Sequence, residues 1–581
     1  MMNNLKRILL TGIFLIVSSQ IFAQALPIGL DGKYDDWTSD AESFTDTQND
    51  GAAYDLLSFK VANDSNYLFI QLVFDQEIQL SSGNNLFLEI DADNNAATGY
   101  SVNGIGAELG VNFGTKTFYF NPTSGSVQVS PYDIGFIALP TTTSDTFEIM
   151  IERHTLPDGI HQLFTGNTIK LCFKDNNTGG DYMPDLGTTF SYTFDETPVV
   201  VYDKITLNKT NASDIRLMTY NTLQDGLIDN ARVGSFQHII TAVNPDIITF
   251  NECWNTTQYQ AKNLLDSWIP LQGSNWTCLK NDGGNISCSK YPISDYYDID
   301  PTYIHRITGY IIDLPDSFPR DFLIINAHLK CCGDDDTRQE QADAIINFIR
   351  DVKTSGGNIT LPYGTPFVIS GDLNLVGLSQ QLTTLLTGDI VDNSTFGEDI
   401  APDWDNTDLR DIIAFHTDMR TATTWTEEGN SYWPGRLDYA IASDIGATVS
   451  KAYTICTHEM SSERLSQYGL NFDDTDIASD HLPKITDFII EDVPGTVSDI
   501  PDSEVQIFPN PAFNKKFTIR NVRNHLLKEV KVISITGEII YSKQINKNQV
   551  NINLSNVPSG IYFVKVKTLK SERIFKIILL N

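Results

Sequence analysis

The sequence predicts a multidomain chain: an N-terminal all-β sandwich, a central α/β domain and a small C-terminal all-β sandwich. Three observations predict it. At 581 residues the chain exceeds what one hydrophobic core organises. Short apolar runs separated by turn residues fill both flanks, whereas apolar residues at helical spacing enter only in the middle. A Pro/Gly/Asp-rich stretch at 493–503 then separates the middle from the last β segment.

Taken in order, residues 1–23 read as a secretory signal peptide. Lys6 and Arg7 open it, Ile8 to Ile16 form a short apolar core, and Ala23 and Ala25 supply small residues for cleavage. The apolar stretch is too short for a membrane anchor, and no later segment is apolar enough to span a bilayer, so the mature chain is expected to lack a transmembrane span. Residues 26–196 carry strand-like runs at Leu57–Ala62, Tyr67–Phe74, Leu86–Ile90 and Thr117–Phe120. Within them Asp91, Asp93, Asn94 and Asn95 crowd oxygen ligands at a strand-to-turn junction; Asp91, Asp93 and Asn95 form a candidate calcium set. A solvated turn with Asx hydrogen bonds is the competing reading. A polar connection, 197–211, leads into the α/β region 212–492, where Ala342, Ile345, Ile346 and Ile349 recur at helical spacing within Gln339–Val352. Residues 504–581 return to alternation, as in Val530–Ile535 and Ile561–Val566.

The net charge of −34 sets the surface chemistry. Such a surface repels polyanions and disfavours tight sequence-independent DNA binding, although a metal site offsets charge locally. Seven cysteines are compatible with disulfides in an exported protein. Cys278 and Cys288 flank the turn signal N-D-G-G-N, so a hairpin-closing bridge between them is expected. No Cys-x-x-Cys or Cys/His cluster has zinc-site spacing.

Phosphoester hydrolysis requires a metal to neutralise phosphate, a base for water and polar groups for the developing charge. The middle region places candidates for each where apolar strands end. I-R-L-M-T-Y-N ends at Asn221 and D-I-I-T-F-N-E at Glu252, a pair of oxygen ligands suited to magnesium or another hard cation. F-L-I-I-N-A-H places His328 after a strand, and F-V-I-S-G-D-L-N places Asp372 and Asn374 on one side of an extended chain, with Gly371 permitting a tight backbone. G-R-L-D-Y carries Asp438; A-S-D-H-L-P carries Asp480 and His481. An aspartate beside a histidine fixes its tautomer and favours its charged form. Taken singly, each of these residues also fits a structural role.

The ordered set N…E…NxH…GDxN…RxDY…SDH resembles the deoxyribonuclease-I-like endonuclease/exonuclease/phosphatase superfamily over about 280 residues. The resemblance implies a four-layer sandwich, two packed β-sheets with helices outside. It implies a metal site at Asn221 and Glu252, with Asp480 as a second metal or histidine-supporting residue. Asp372 would position or deprotonate the attacking water, with Asn374 orienting it. His481, oriented by Asp438, and His328 would contact phosphate or serve as acid. Magnesium, or manganese or calcium, is the implied cofactor. A phosphate-contacting arginine is also expected; Arg306 and Arg338 are candidates.

The sequence departs from the superfamily pattern at Asn251, where many members carry Gln, and at K-C-C-G-D-D-D after His328. Vicinal Cys331 and Cys332 are candidates for a pocket-shaping disulfide, and Asp334–Asp336 for either a second cation or a solvated acidic loop. Trp425 and Trp433 bracket the loop before Asp438, placed either to stack on a base or sugar or to close a core edge. D-G-K-Y-D-D-W at 31–37 with L-F-L-E-I-D-A-D-N-N-A-A-T-G-Y at 86–100 resembles DOMON-like, carbohydrate-binding-module-9-like sandwiches, which implies a binding or spacer role and a glycan as candidate partner. I-F-P-N-P at 507–511, V-I-S-I-T-G-E and P-S-G-I-Y-F-V-K-V resemble the type IX secretion system sorting domain, which implies engagement of that machinery and a secreted or cell-surface location.

The function expected is a secreted divalent-metal-dependent phosphoesterase, a phosphodiesterase or nuclease acting by water attack at phosphorus. Acidic segments such as 397–408 favour a small or cation-bridged substrate. A phosphomonoesterase or phospholipid-head-group hydrolase is the enzymatic alternative, and a noncatalytic glycan-binding surface protein the alternative of another class.

Overall fold

The computed structural model describes residues 28–493 and 505–580, apart from 39–40, 123–124, 197–202, 282, 303–304, 355, 358, 360, 523–524 and 569–571. The expected leader and almost all of the expected linker lie outside the described residues.

In the middle of the chain two six-stranded sheets face each other. The first runs, in spatial order, Thr277–Lys280, Ile286–Ser289, Ile247–Asn251, Ile215–Asn221, Lys484–Ile490 and Ala447–Thr454. The second runs Ile293–Asp298, Ile307–Ile312, Phe322–Ala327, Phe367–Asp372, Asp438–Ala442 and Arg410–Asp411. Ile215, Leu217, Ile247 and Phe488 of the first pack against Tyr310, Phe322, Ile324 and Val368 of the second. Strands buried on both faces explain their near-continuous apolar runs. Helices Val233–Val243 and Gln258–Trp268 cover the outer face of the first sheet, and Asp335–Lys353 and Gln380–Thr387 that of the second, giving four layers.

Register sets the chemistry. Ile215–Asn221 runs parallel to Ile247–Asn251, and Phe322–Ala327 parallel to Phe367–Asp372, so Asn221, Glu252, His328 and Asp372 leave their sheets at one edge. Asp438 opens the neighbouring antiparallel strand directly opposite Asp372. Gly371 has φ +148°, and a Cβ there would lie 1.8 Å from the Ala327 carbonyl oxygen, so the position demands glycine.

The helix expected over 339–352 begins four residues earlier, at Asp335. The Asp334 carboxylate accepts the Thr337 N–H, and Asp335 and Asp336 occupy the first turn, where acids complement the helix dipole. Asp334–Asp336 are therefore a helix start, neither a solvated loop nor an aligned cation set. Arg338 is fully buried and donates to the Lys330 and Cys332 carbonyls and to Asp335. It shapes the loop after His328 and is not free for phosphate.

The expected Cys278–Cys288 bridge closes its hairpin, while Cys172, Cys253, Cys331, Cys332 and Cys456 are free thiols. In the N-terminal part a five-stranded and a seven-stranded sheet enclose one core that includes Phe59, Phe74, Phe118 and Phe147. Trp433 of the central region is part of that core: its ring lies 5.2 Å from Phe136 and its indole N–H donates to the Ala138 carbonyl. Thr143 N–H also donates to the Gly377 carbonyl, and Leu30 bonds both ways with Arg420 and Ala422. The sandwich is thus docked on the central region through backbone and core alike. The C-terminal segment forms two small antiparallel sheets, of three and four strands, around Val505, Phe517, Val530, Val564 and Ile577. No helix of the described residues is long and apolar enough to cross a membrane.

Candidate active site

Beneath the gathered strand ends, the contact between the sheets changes from apolar to polar. The Ser370 hydroxyl hydrogen-bonds to those of Thr219 and Thr249. Asn251 donates to Asn285 and Asn326, and accepts the Asp372 backbone N–H at 3.0 Å. These buried polar residues satisfy one another, and their network holds the floor of the site. Asn251, the departure from the superfamily pattern, therefore supports the Asp372 backbone.

On that floor, three side chains converge on one oxygen. Asn221 Nδ2 donates to Asp372 Oδ2 at 3.0 Å, and the Nε2 atoms of His328 and His481 each lie 3.7 Å from it. Asp372 Oδ1 accepts the Asn374 backbone N–H. Burial pushes the Asp372 carboxyl up to about 7, against the pull of His481. His481 Nδ1 is 2.7 Å from Asp438 Oδ2. Burial opposes its charge, but the carboxylates of Asp438 and Asp372 outweigh burial and lift its pKa to about 10. His328 behaves oppositely: burial first, then Arg306 and His481, drive its pKa far down, and its Nδ1 is buried without a partner. The two imidazoles therefore take different charge states around one carboxylate.

Glu252 sits at φ +58°, with Oε1 3.3 Å from Asn221 Nδ2 and Oε2 accepting the Gln224 N–H. Asp480 faces the same cleft and accepts the Trp425 indole N–H at 3.1 Å. The Arg306 guanidinium lies 4.7 Å from the centre of the Trp254 ring, and both line the cleft. Asn374, at φ +48°, turns its side chain to the Leu329 carbonyl and also lines the cleft.

Glu252, Arg306, His328, Asp372, Asn374, Asp480 and His481 thus line a single cleft of about 970 Å3; Asp438 reaches it through His481, and Asn221 lies beneath, bonded to Glu252 and Asp372. Gln79, Leu80, Ser81, Thr141 and Thr143 of the N-terminal sandwich form part of its wall. Sequence reasoning missed this wall, because no local signal marks a loop that meets the site only through domain docking. It also missed Asp225, whose carboxylate holds the backbone of Asn255 and Thr256 at the rim. Both tryptophans line the cleft, and Trp433 is at the same time part of the sandwich core.

The candidate calcium set gains a neighbouring carboxylate. Asp91 and Asp93 come together with Glu108; the Asn95 backbone N–H donates to both aspartates, and its exposed side chain accepts the Ala97 N–H. Glu108 comes from the bend between strands Ile105–Ala107 and Leu109–Asn112, a juxtaposition that sequence spacing does not show.

Residues 218–481 match the model of the Endonuclease/Exonuclease/phosphatase family, and residues 506–580 match that of the Secretion system C-terminal sorting domain. The N-terminal sandwich lies outside both matches. No curated protein matches the chain. Similar solved structures include ANGEL2, a 2′,3′-cyclic phosphatase, in complex with adenosine-2′,3′-vanadate; it is 16% identical over 48% of this chain and 96% of that one, with a TM-score of 0.32. Sphingomyelinase C from Streptomyces griseocarneus is 13% identical over 48% of this chain and 99% of that one, with a TM-score of 0.27. The endonuclease domain of TRAS1, a telomere-specific non-LTR retrotransposon, is 9% identical over 48% and 100%, also with a TM-score of 0.27. The chain therefore carries an endonuclease/exonuclease/phosphatase family domain in its centre and ends in a type IX secretion sorting domain.

Proposed function

We propose that this protein is a secreted, divalent-metal-dependent phosphodiesterase that acts on small or single-stranded phosphodiesters. The observation that carries this reading is the convergence of Asn221, His328 and His481 on one oxygen of a buried Asp372. A carboxyl held near 7 is suited to accept a proton from an attacking water. His481, held as imidazolium by Asp438, is placed to donate to a phosphoryl oxygen as charge develops there. Neutral His328 and the cation of Arg306 supply further polar contacts to phosphate.

The donors at Glu252, Asn221 and Asp480 fit a hard cation of the magnesium, manganese or calcium type. Magnesium commonly takes one or two protein carboxylates and completes its shell with water and substrate phosphate. When bound, the ion neutralises phosphate charge and polarises the ester. The substrate class follows from the walls. A cleft bounded on one side by the sandwich admits a nucleotide-sized group, with Trp254 and Trp425 as apolar surfaces, and the net charge of −34 disfavours a duplex. For the sandwich itself, the Asp91, Asp93 and Glu108 group is our candidate calcium site. The sorting domain fits export to the cell surface or beyond.

The test is hydrolysis by the full mature chain after chelation, with magnesium, manganese or calcium restored singly. Bis(p-nitrophenyl) phosphate, p-nitrophenyl phosphate, a short single-stranded oligonucleotide and plasmid DNA are the substrates. Chelation should abolish turnover, and the diester and oligonucleotide should be cleaved faster than the monoester or plasmid. Preference for the monoester would overturn the diesterase reading in favour of a phosphatase. Absence of turnover on all four would overturn it in favour of a head-group hydrolase or a noncatalytic surface protein.

A further inference from the structure

We infer that the N-terminal sandwich holds a second divalent oxygen-preferring cation, calcium by its chemistry, between Asp46, Asp50 and Asp181. Carboxylate oxygens of these three lie within 4.8 Å of one another. Asp46 is 8% exposed, and neither of its carboxylate oxygens has a hydrogen-bond partner. A doubly unpartnered buried carboxylate is costly and asks for a compensating cation or proton. Asp181 is 3% exposed; its Oδ2 accepts the Leu56 N–H at 2.7 Å.

Asp185 adds a fourth acid to this corner, accepting the Thr47 hydroxyl at 3.0 Å. Among the described residues no lysine or arginine is ion-paired with any of the four. Four acids, one of them buried with both oxygens unpartnered, therefore meet without a paired side-chain cation.

The surrounding backbone fits a bound cation. Asp55 accepts the N–H groups of Asn49, Asp50 and Gly51, which sets where Asp50 stands, and Ala52 N–H donates to the Gly179 carbonyl. Asp46 follows strand Glu42–Thr45 of the five-stranded sheet, and Asp181 precedes strand Tyr182–Met183 of the seven-stranded sheet. A cation here would link the two sheets of the sandwich. All the donors are oxygens, with no histidine or cysteine in the group, which favours calcium over transition metals; an irregular loop suits its flexible coordination. None of these residues lines the catalytic cleft.

The experiment uses the chelator-stripped mature chain. Calcium bound per chain is counted by equilibrium dialysis, and thermal melting is followed with and without calcium. Asp46→Asn should bind one calcium fewer than wild type and show a smaller calcium-induced rise in Tm, with kcat on bis(p-nitrophenyl) phosphate unchanged. Without calcium it should melt no lower than wild type, because a repulsive charge is gone. Equal stoichiometry in variant and wild type, or no calcium bound by wild type at millimolar concentration, would overturn the site. If Asp46→Asn does not fold, Asp50→Asn on the exposed turn must lose the same single ion; retention of that ion there would equally overturn it.

Discussion

Asp372 is where burial and chemistry meet. Its carboxyl is 2% exposed and held near 7 because the low-dielectric floor disfavours its charge. Asp372→Asn keeps the shape and can still accept the Asn374 N–H, but it cannot take a proton from water. We expect kcat on the diester to fall by on the order of 10^3-fold, while Tm does not fall, since a strained buried acid has been removed. A parallel loss of activity and Tm would show that Asp372 is chiefly structural. At this scale much of the site was legible in the sequence. Asn221, Glu252, His328, Asp372 and His481 each stand at the polar end of an apolar run, and the order of those ends carries the superfamily resemblance. What the residues do to one another was not legible. Asp438 and His481 are 43 positions apart, and only the fold places them 2.7 Å from each other. Arg338 shows the reverse: a plausible phosphate ligand by position, it is enclosed by the loop it holds.

Among the elements, strand Lys484–Ile490 carries an anomaly. Lys484 is 1% exposed and donates to the Ile412 carbonyl at 2.7 Å. Burial, with Arg436 nearby, pushes its ammonium down to about 7 from an ordinary 10.5. Below about pH 7 both folded and unfolded chains carry this proton, and the folded state bears the whole penalty. Between about 7 and 10.5 the folded chain sheds the proton while the unfolded chain keeps it, so stability rises with pH through that window. Relative to Lys484→Met, wild type should therefore gain unfolding free energy as pH goes from 7 to 10, measured by urea denaturation. A difference that stays flat with pH would refute the buried-lysine account. Strand existence was legible from alternation and apolar runs, as at Leu57–Ala62 inside the observed Leu56–Asn63. Boundaries were not: the helix expected from 339 begins at Asp335, because capping by Asp334 extends it beyond its apolar face.

At the scale of the whole molecule, the sandwich and the central domain share a core. Trp433→Ala removes a ring buried against Phe118 and Phe136 and should cost about 3–5 kcal/mol in chemical denaturation. It should also raise KM for the diester, because Trp433 itself lines the cleft and shares a core with Leu80 of the cleft wall. An unchanged KM with the full stability loss would separate docking from substrate selection. The sequence by itself determined the kinds of elements, the acidic surface, the Cys278–Cys288 hairpin and the order of polar strand ends, because these follow from local periodicity, charge and turn chemistry. Tertiary structure alone decided that Glu108 joins Asp91 and Asp93, that Asp46 meets Asp181, and that the sandwich walls the catalytic cleft. Each of those pairings joins residues from separate segments of the sandwich or from different domains. Their distance is set by sheet register and core packing, which no local pattern of residues encodes.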